Sequence, residues 1–557
     1  MAKRTKTAKA NKAGKRSVSK AKTKAKERTL NRRLSASTGN IKKPTGTKLA
    51  ARPGYISVRM YNNILGDCFL IRIPAGNREV RILIDCGALQ GMPGAADIIG
   101  EIADDIAHTT DSHLDVLAVT HEHWDHLSGF SQAQEVFSKF TIDELWLAWT
   151  EDDKDADAAK IRARRRKTLG LLLTLDKHFG AAAAPEEDPD VDQIAPTIAP
   201  QRDDVRELLA FTGEAPFGAA AAPKMTTGEI LSLLKKLATK VRYFTPGADP
   251  ISLPSNVPVQ AYVLGPPKDD KLLLRSNPRK GEVYLRGETD ELGAYLAAAI
   301  QLDKQRDRFD ADEQRAFEMA MPFDSHHFYA LSQTEPSEGA DGSGYFLERD
   351  AWRRIDRDWL GAAEQLALKL DSDTNNTSLV LAFAVGTGAG RRVLLFPGDA
   401  QVGNWESWQQ YVWPSGAKRD DPATMDISKL LEATVFYKVG HHASHNATLR
   451  AAGLELMTNP DLVAMIPVQE EFARKTKHWN MPFPSLLARL LEKTKGRVFR
   501  ADRSLDDLKA DSATRAGKPG ELSQEDWDEF FNRVREGPPS KYGAVPLYVE
   551  YSVSLHG

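Results

Sequence analysis

The sequence predicts a layered α/β fold, on three observations: strand-like alternation at the start of the folded region, helical periods after it, and further strands toward the end. In the first group, Ile56, Val58 and Met60 alternate with polar neighbours. The apolar runs 68–73 and 80–84 then flank Pro74-Ala75-Gly76-Asn77, the composition of a hairpin turn. A helix is expected near 95–106, and a buried strand over 114–119 (LDVLAV). Strands are expected again over 379–383, 393–396, 434–439 and 463–466. Leu547, Val549, Tyr551 and Val553 alternate near the end.

From about 150 to 370 the chain reads as a mainly helical insertion. Thr226 and Glu229 stand at capping-box spacing, and Ile230, Leu233, Leu234 and Leu237 repeat at helical spacing. Ala/Pro-rich pieces such as GAAAAPEEDPD and FGAAAAP read as links or loops. A helix rich in Trp, Arg and Asp is expected over 351–370. The expected organisation is a tail, residues 1–53, and one enlarged domain, residues 54–557, that contains the insertion.

With 557 residues, 41% hydrophobic and 27% charged, the chain has material for a large core without a disulfide or metal staple. Its two cysteines, Cys68 and Cys86, lie in apolar runs and read as buried thiols of a reducing compartment. No window approaches the roughly 18 uninterrupted apolar residues of a membrane span. The N-terminus lacks the apolar stretch of a secretory signal, so the expected location is the cytoplasm, with no membrane partner.

The formal net charge of −2 hides an uneven division. Of 75 basic and 77 acidic residues, 18 and one fall in residues 1–53, leaving 57 and 76, so the tail carries +17 and the remainder −19. The tail is rich in Lys, Ala, Ser and Thr, with almost nothing large and apolar to bury, and is expected to be disordered. Its 12 Lys outnumber 6 Arg, unlike an import peptide. Two roles fit it: attraction to the phosphate backbone of a nucleic acid, or solubilisation.

Chemistry concentrates in THEHWDHLSGF, residues 120–130, directly after the LDVLAV strand. His121, His123, Asp125 and His126 supply three imidazoles and a carboxylate, an N/O set suited to zinc, manganese or iron. A lone histidine is usually structural; four such groups in this order behind a strand point to metal.

This H-x-H-x-D-H run resembles the metallo-β-lactamase superfamily, whose supporting motifs occur in the expected order. Asp85 ends the strand in ILIDCG, Asp399 lies in LLFPGDA, and His441 lies in YKVGHHASH. Within the superfamily the sequence is most similar to the hydrolase domain of the competence DNA-uptake channel protein and its soluble relatives, through LGDCFLIRIP, ILIDCG, HEHWDH, NNTSLVLAF, LLFPGDA and KVGHHASH. The resemblance implies an αββα sandwich and a site for two divalent ions, zinc first, with manganese or iron as alternatives. Asp399 would bridge the ions, and Asp85 would fix the tautomer of a ligand histidine. His121 and His123 are assigned to one ion, Asp125 and His126 to the other, and His441 completes the second set. His442 is the alternative, since both follow the same strand.

Two departures bear on this assignment. Where many superfamily members supply a third His to the first ion, this chain offers Asn375 and Asn376. His326 and His327, in the insertion, read as surface or packing residues. Where some relatives carry a late Gly-His-Pro, this chain has Met481-Pro482-Phe483-Pro484. Beside the proposed ligands, Ser444 and His445 could contact substrate, and His445 is the candidate general acid. Lys438, on the preceding strand, is left outside the catalytic set.

The expected function is hydrolysis by hydroxide held between two ions, with Asp125 and Asp399 at the reacting centre. Phosphodiesters are the favoured substrate, on the resemblance and the basic tail. A hydrolase of a small ester, thioester or lactone is the alternative, and a non-catalytic binding module on the same fold is the third reading.

Overall fold

The computed structural model describes residues 54–182, 206, 209–213, 225–275, 367–421 and 423–555. The tail 1–53, His326, His327 and most of the helix expected over 351–370 lie outside the described residues.

Seventeen strands are described. The first six are β1 (Tyr55–Tyr61), β2 (Phe69–Ala75), β3 (Arg78–Ile84), β4 (His113–Ala118), β5 (Thr141–Ala148) and β6 (Ala238–Phe244). Then come β7 (Ile251–Leu253), β8 (Val259–Gly265), β9 (Val380–Val385), β10 (Arg392–Phe396), β11 (Val412–Trp413) and β12 (Met425–Asp426). The last are β13 (Thr434–Lys438), β14 (Val463–Ile466), β15 (Val498–Arg500), β16 (Val534–Glu536) and β17 (Tyr548–Ser554).

They form an eight-stranded sheet, β16-β17-β1-β2-β3-β4-β5-β6, and a seven-stranded sheet, β15-β14-β13-β10-β9-β8-β7, with β11 and β12 as a separate pair. Both sheets are mixed: β3, β4, β5 and β6 run parallel in the first, and β10, β13, β14 and β15 in the second.

Period-two alternation explains how the sheets assemble. On β9, Leu381, Phe383 and Val385 join Ile56, Val58, Phe69 and Ile71 in one apolar core between the sheets, where Phe69 meets Phe396 edge-on at 5.8 Å. The intervening Val380, Ala382 and Ala384 face a second core with Trp405, Leu430, Leu486 and Leu490, which come from helices. On the outer side of the first sheet, Leu83, Leu117 and Leu145 pack with Ile99, Ile102 and Ile106 of the helix Ala95–Thr110. Strands covered on both faces read as near-continuous apolar runs, as LDVLAV and SLVLAF do.

The capping box is present: Thr226 and Glu229 cap the helix Thr227–Leu237, which buries Ile230, Leu231 and Leu234. The described part of the stretch 150–370 holds the helices Ala156–Ala182 and Thr227–Leu237 and also supplies β6 to the first sheet and β7 and β8 to the second. The apolar run VQAYVLG of β8 is too short for a helix and pairs with β9 over most of its length. Cys68 and Cys86 are free and buried, and among the described residues no helix is long and apolar enough to cross a membrane.

One ion cluster joins the ends of the chain. Glu550 on β17 accepts from Arg59 Nε on β1 at 3.0 Å and from Arg72 Nη2 on β2 at 3.0 Å, with all three side chains at most 2% exposed. Arg59 also donates to Asp105 and Thr109 of the covering helix. Burial would raise the Glu550 carboxyl, but the two arginines hold it below the ordinary range. Its stabilising contribution is therefore full at neutral pH and is lost as the pH falls through the depressed folded-state value. Glu550→Gln should cost about 3–5 kcal/mol in denaturant unfolding, because two buried guanidinium groups lose their shared counter-charge. A loss under about 1 kcal/mol would contradict that role.

Candidate metal centre

Every candidate side chain sits at one edge of the two sheets. Asp67 lies between β1 and β2, Asp85 follows β3, residues 120–126 follow β4, Asp399 follows β10, and His441 and His442 follow β13. A rigid sheet can present polar groups at strand ends where its interior could not hold them.

Close backbone packing makes the cluster possible. Asp67 N donates to Asp125 O at 3.0 Å, Gly87 N to Asp67 O at 3.1 Å, and Cys86 N to His126 O at 2.9 Å. A Cβ on Gly87 would lie 2.4 Å from the Asp125 carbonyl carbon, and one on Gly66 would lie 2.4 Å from Gly87 O. Glycine at both positions lets three loops meet within backbone contact distance. Asp85 itself has φ 54°, and His441, His442 and Ala443 have φ 41°, 52° and 62°. Such left-handed residues are costly and persist only where the surroundings over-determine them.

Asp125, His126, Asp399 and His442, all buried, each offer a ligand atom within 4.8 Å of the others, and Asp67, Asp85 and His126 form a second such group. Asp85 accepts from Thr120 N at 2.8 Å, from Thr120 Oγ1 at 2.6 Å and from His126 Nδ1 at 2.8 Å. That contact turns His126 Nε2 toward Asp399 Oδ2, 3.1 Å away. His442 Nδ1 donates to Pro467 O at 2.6 Å, which aims its Nε2 at Asp125 Oδ2, 3.0 Å away. In both rings the proton is committed to the outer partner, so each inner contact sets a nitrogen lone pair against a carboxylate oxygen. Such a contact requires a cation between the two atoms, either a proton or a metal.

The electrostatics agree. Burial opposes charge on His126, yet Asp399, Asp125, Asp67 and Asp85 push its pKa well above the ordinary imidazole value. His442 is raised against burial by its hydrogen bond to Asp125 and by Asp399. Burial would raise Asp125 and Asp399, but His126 and His442 hold the first below its usual range, and Lys438 and His126 hold the second well below.

His121 and His123 stand beside this group. Their rings are 4.7 Å apart, and that of His121 is 4.2 Å from His126. Thr120 Oγ1 and Ser378 Oγ lie 3.0 and 3.3 Å from His121 Nδ1. His121 Nε2 and His123 Nε2 are buried with no hydrogen-bond partner. Burial lowers both pKa values, that of His123 to about 3, so both rings are neutral and able to accept a metal. Orphaned imidazole nitrogens next to a carboxylate cluster fit a metal site.

The structure brings His442, the alternative to His441, into the tight group and leaves His441 outside it. His441 gives its backbone N–H to Asp399 Oδ1 at 3.0 Å, and its Nδ1 lies 2.9 Å from Ser444 Oγ. The reason is conformational: three successive left-handed residues break the strand's alternation, so His442 turns in. His445, the candidate general acid, is outside the tight group, its ring packed edge-on to Phe483 at 6.1 Å. Phe483 N in turn donates to Ala443 O at 2.8 Å, so the MPFP segment braces the histidine loop.

Sequence reasoning missed three groups. Lys438 is 1% exposed and donates to Gly398 O at 2.8 Å and Asp399 Oδ1 at 3.1 Å, while pairing with Asp67. Asp67 belongs to LGDCF and Lys438 to KVGHH, so both were visible in motifs without a role. Asp371 lies 3.8 Å from His123 Nε2 through Oδ1, and only the acidic run DSD hinted at it. A small cavity opens beside His123, bordered by Glu122, Arg165, Arg166 and Thr374. Compared with protein-family models and with curated proteins, the chain finds no match in either.

Exchanging the two adjacent histidines separates ligand from support. His442→Ala should lower zinc affinity by more than the roughly 10–100-fold cost of removing an outer partner, with His441→Ala retaining the wild-type metal content. Equal losses in a chelator competition, or a larger loss in His441→Ala, would contradict a ligand role for His442.

Proposed function

We propose that the chain is a metal-dependent hydrolase of the metallo-β-lactamase fold, acting on phosphodiesters through two divalent ions held by His121, His123, Asp125, His126, Asp399 and His442. The observation that carries this reading is the set of buried imidazole nitrogens that face either a carboxylate oxygen or nothing. Two sheets with helices over their outer faces suit the same superfamily.

When bound, zinc, manganese or iron would supply Lewis acidity at a phosphoryl or carbonyl oxygen and lower the pKa of water. The protein's own groups do the positioning. Lys438 and the His441 N–H engage Asp399 Oδ1, which leaves Oδ2 toward His126. Asp85 fixes His126, and Pro467 O fixes His442, each in one tautomer. Arg166 borders the cavity beside His123 together with Arg165, whose charge is paired with Glu122 and Glu151.

One feature favours the ester, thioester or lactone reading: Phe211 lies 5.6 Å from the His123 ring and stacks on Trp479 at 5.1 Å, an apolar wall suited to an organic acyl group. A non-catalytic binding module would have no chemical need for so complete a ligand set. The basic tail is proposed to add nucleic-acid affinity without taking part in turnover, and a cytoplasmic location belongs to the same proposal.

One experiment tests both parts. The metal-loaded full chain and a chain lacking residues 1–53 are assayed on chromogenic phosphodiesters, carboxyl esters and thioesters, and titrated with duplex DNA over a range of salt. Phosphodiester turnover should be nearly the same in the two proteins. The truncated one should bind DNA more weakly, with its log–log salt slope shallower by about 0.9 for each phosphate that the tail neutralises in the full chain. Turnover confined to esters or thioesters would overturn the phosphodiester assignment, and unchanged affinity and slope would reduce the tail to a solubilising segment.

A further inference from the structure

The His121 and His123 pair lacks the third imidazole that the superfamily resemblance leads one to expect, and Asn376 does not replace it. Asn376 is committed to the fold: its Nδ2 donates to Arg275 O at 2.8 Å and its Oδ1 accepts from Gln401 N at 3.0 Å. Asn375 Nδ2 donates to Asp371 Oδ2 at 3.0 Å, one helical turn back along the helical residues 367–375.

That contact leaves Asp371 Oδ1 as the free oxygen. It is buried without a hydrogen-bond partner, as are His121 Nε2 and His123 Nε2. The separation of Oδ1 from His123 Nε2 is 3.8 Å, too long for a hydrogen bond. Two atoms that each lie about 2.0–2.2 Å from one ion can be up to about 4.4 Å apart, so this spacing fits two ligands of one cation. Two orphaned buried atoms, Asp371 Oδ1 and His123 Nε2, face each other at this distance, the first oriented by a dedicated donor and the second next to the His121 ring, an arrangement that water-free packing would not favour.

We propose that Asp371 is the third protein ligand of the ion held by His121 and His123, with Asn375 as its positioning residue. The assignment rests on the metal-centre reading above and deepens it: this site is a two-histidine, one-carboxylate set. A carboxylate is a harder donor than imidazole, so the site accepts manganese or ferrous iron more readily than a three-histidine site does.

The test uses the full-length protein stripped of metal and reconstituted with zinc, manganese or cobalt. Metal content, affinity by chelator competition and the visible spectrum of the cobalt form are compared among wild type, Asp371→Asn, Asp371→His and Asn375→Ala. Wild type should hold two ions. Asp371→Asn, nearly isosteric, should hold one, with an altered cobalt spectrum and an unchanged circular dichroism spectrum. Asp371→His should recover zinc binding while weakening manganese relative to wild type, and Asn375→Ala should lose roughly 10–100-fold in affinity for one ion. Should Asp371→Asn misfold, recovery of the second ion in Asp371→His decides the matter, because a purely structural aspartate would not be replaced by a metal-binding imidazole. Two ions at wild-type affinity in folded Asp371→Asn would overturn the ligand assignment alone. No bound ion in the wild type would overturn both it and the metal-centre reading.

Discussion

Carboxylates crowded together away from water impose the constraint around which this molecule is arranged. Asp67, Asp85, Asp125, Asp371 and Asp399 are at most 8% exposed and share one strand-end cluster with Lys438. Like charges in such a place repel strongly and lose their hydration, so each needs a fixed partner or a cation. The protein meets part of the demand itself. Asp85 takes two hydrogen bonds from Thr120 and one from His126, and Lys438 spans Asp67 and Asp399. The remaining negative charge faces imidazole nitrogens across short contacts that call for a cation, either a proton or a metal ion.

Several structural choices follow from holding that cluster in place. Glycine at positions 66 and 87 lets the Asp67, Cys86 and Asp125 backbones interlock, and the left-handed run at 441–443 turns His442 inward while His441 N–H reaches Asp399. Strain in a loop of this kind can be sustained because both sheets are covered on each face, which fixes the strand ends from which the loops depart. The Arg59–Glu550–Arg72 network closes the first sheet by tying its last long strand to its first two.

Much of this was legible in the sequence wherever the information was local. Asp85, His121, His123, Asp125, His126 and Asp399 each lie within a few residues of the strand that presents them, so motif order alone brought them together. The choice between His441 and His442 was not legible, because counting through a strand assumes alternation and three positive φ angles end it. Lys438 was left out for a related reason: its partner Asp67 is hundreds of residues away, and a lysine at the end of a strand gives no sign of whether it is buried. Asp371 required knowing that Asn375 would turn one of its oxygens and leave the other bare. Strands β6 to β8 were hidden in a stretch read by its helices, since the short run VQAYVLG gains its strand character from pairing with β9.

That this buried cluster is a two-metal centre is tested most directly by anomalous scattering. Crystals of the zinc-loaded full-length protein, measured on either side of the zinc edge, should show two peaks. One should be bordered by Asp125, His126, Asp399 and His442, and the other by His121 and His123, on the side of Asp371. Absence of any peak in the cluster, or zinc bound only at surface histidines, would contradict the account.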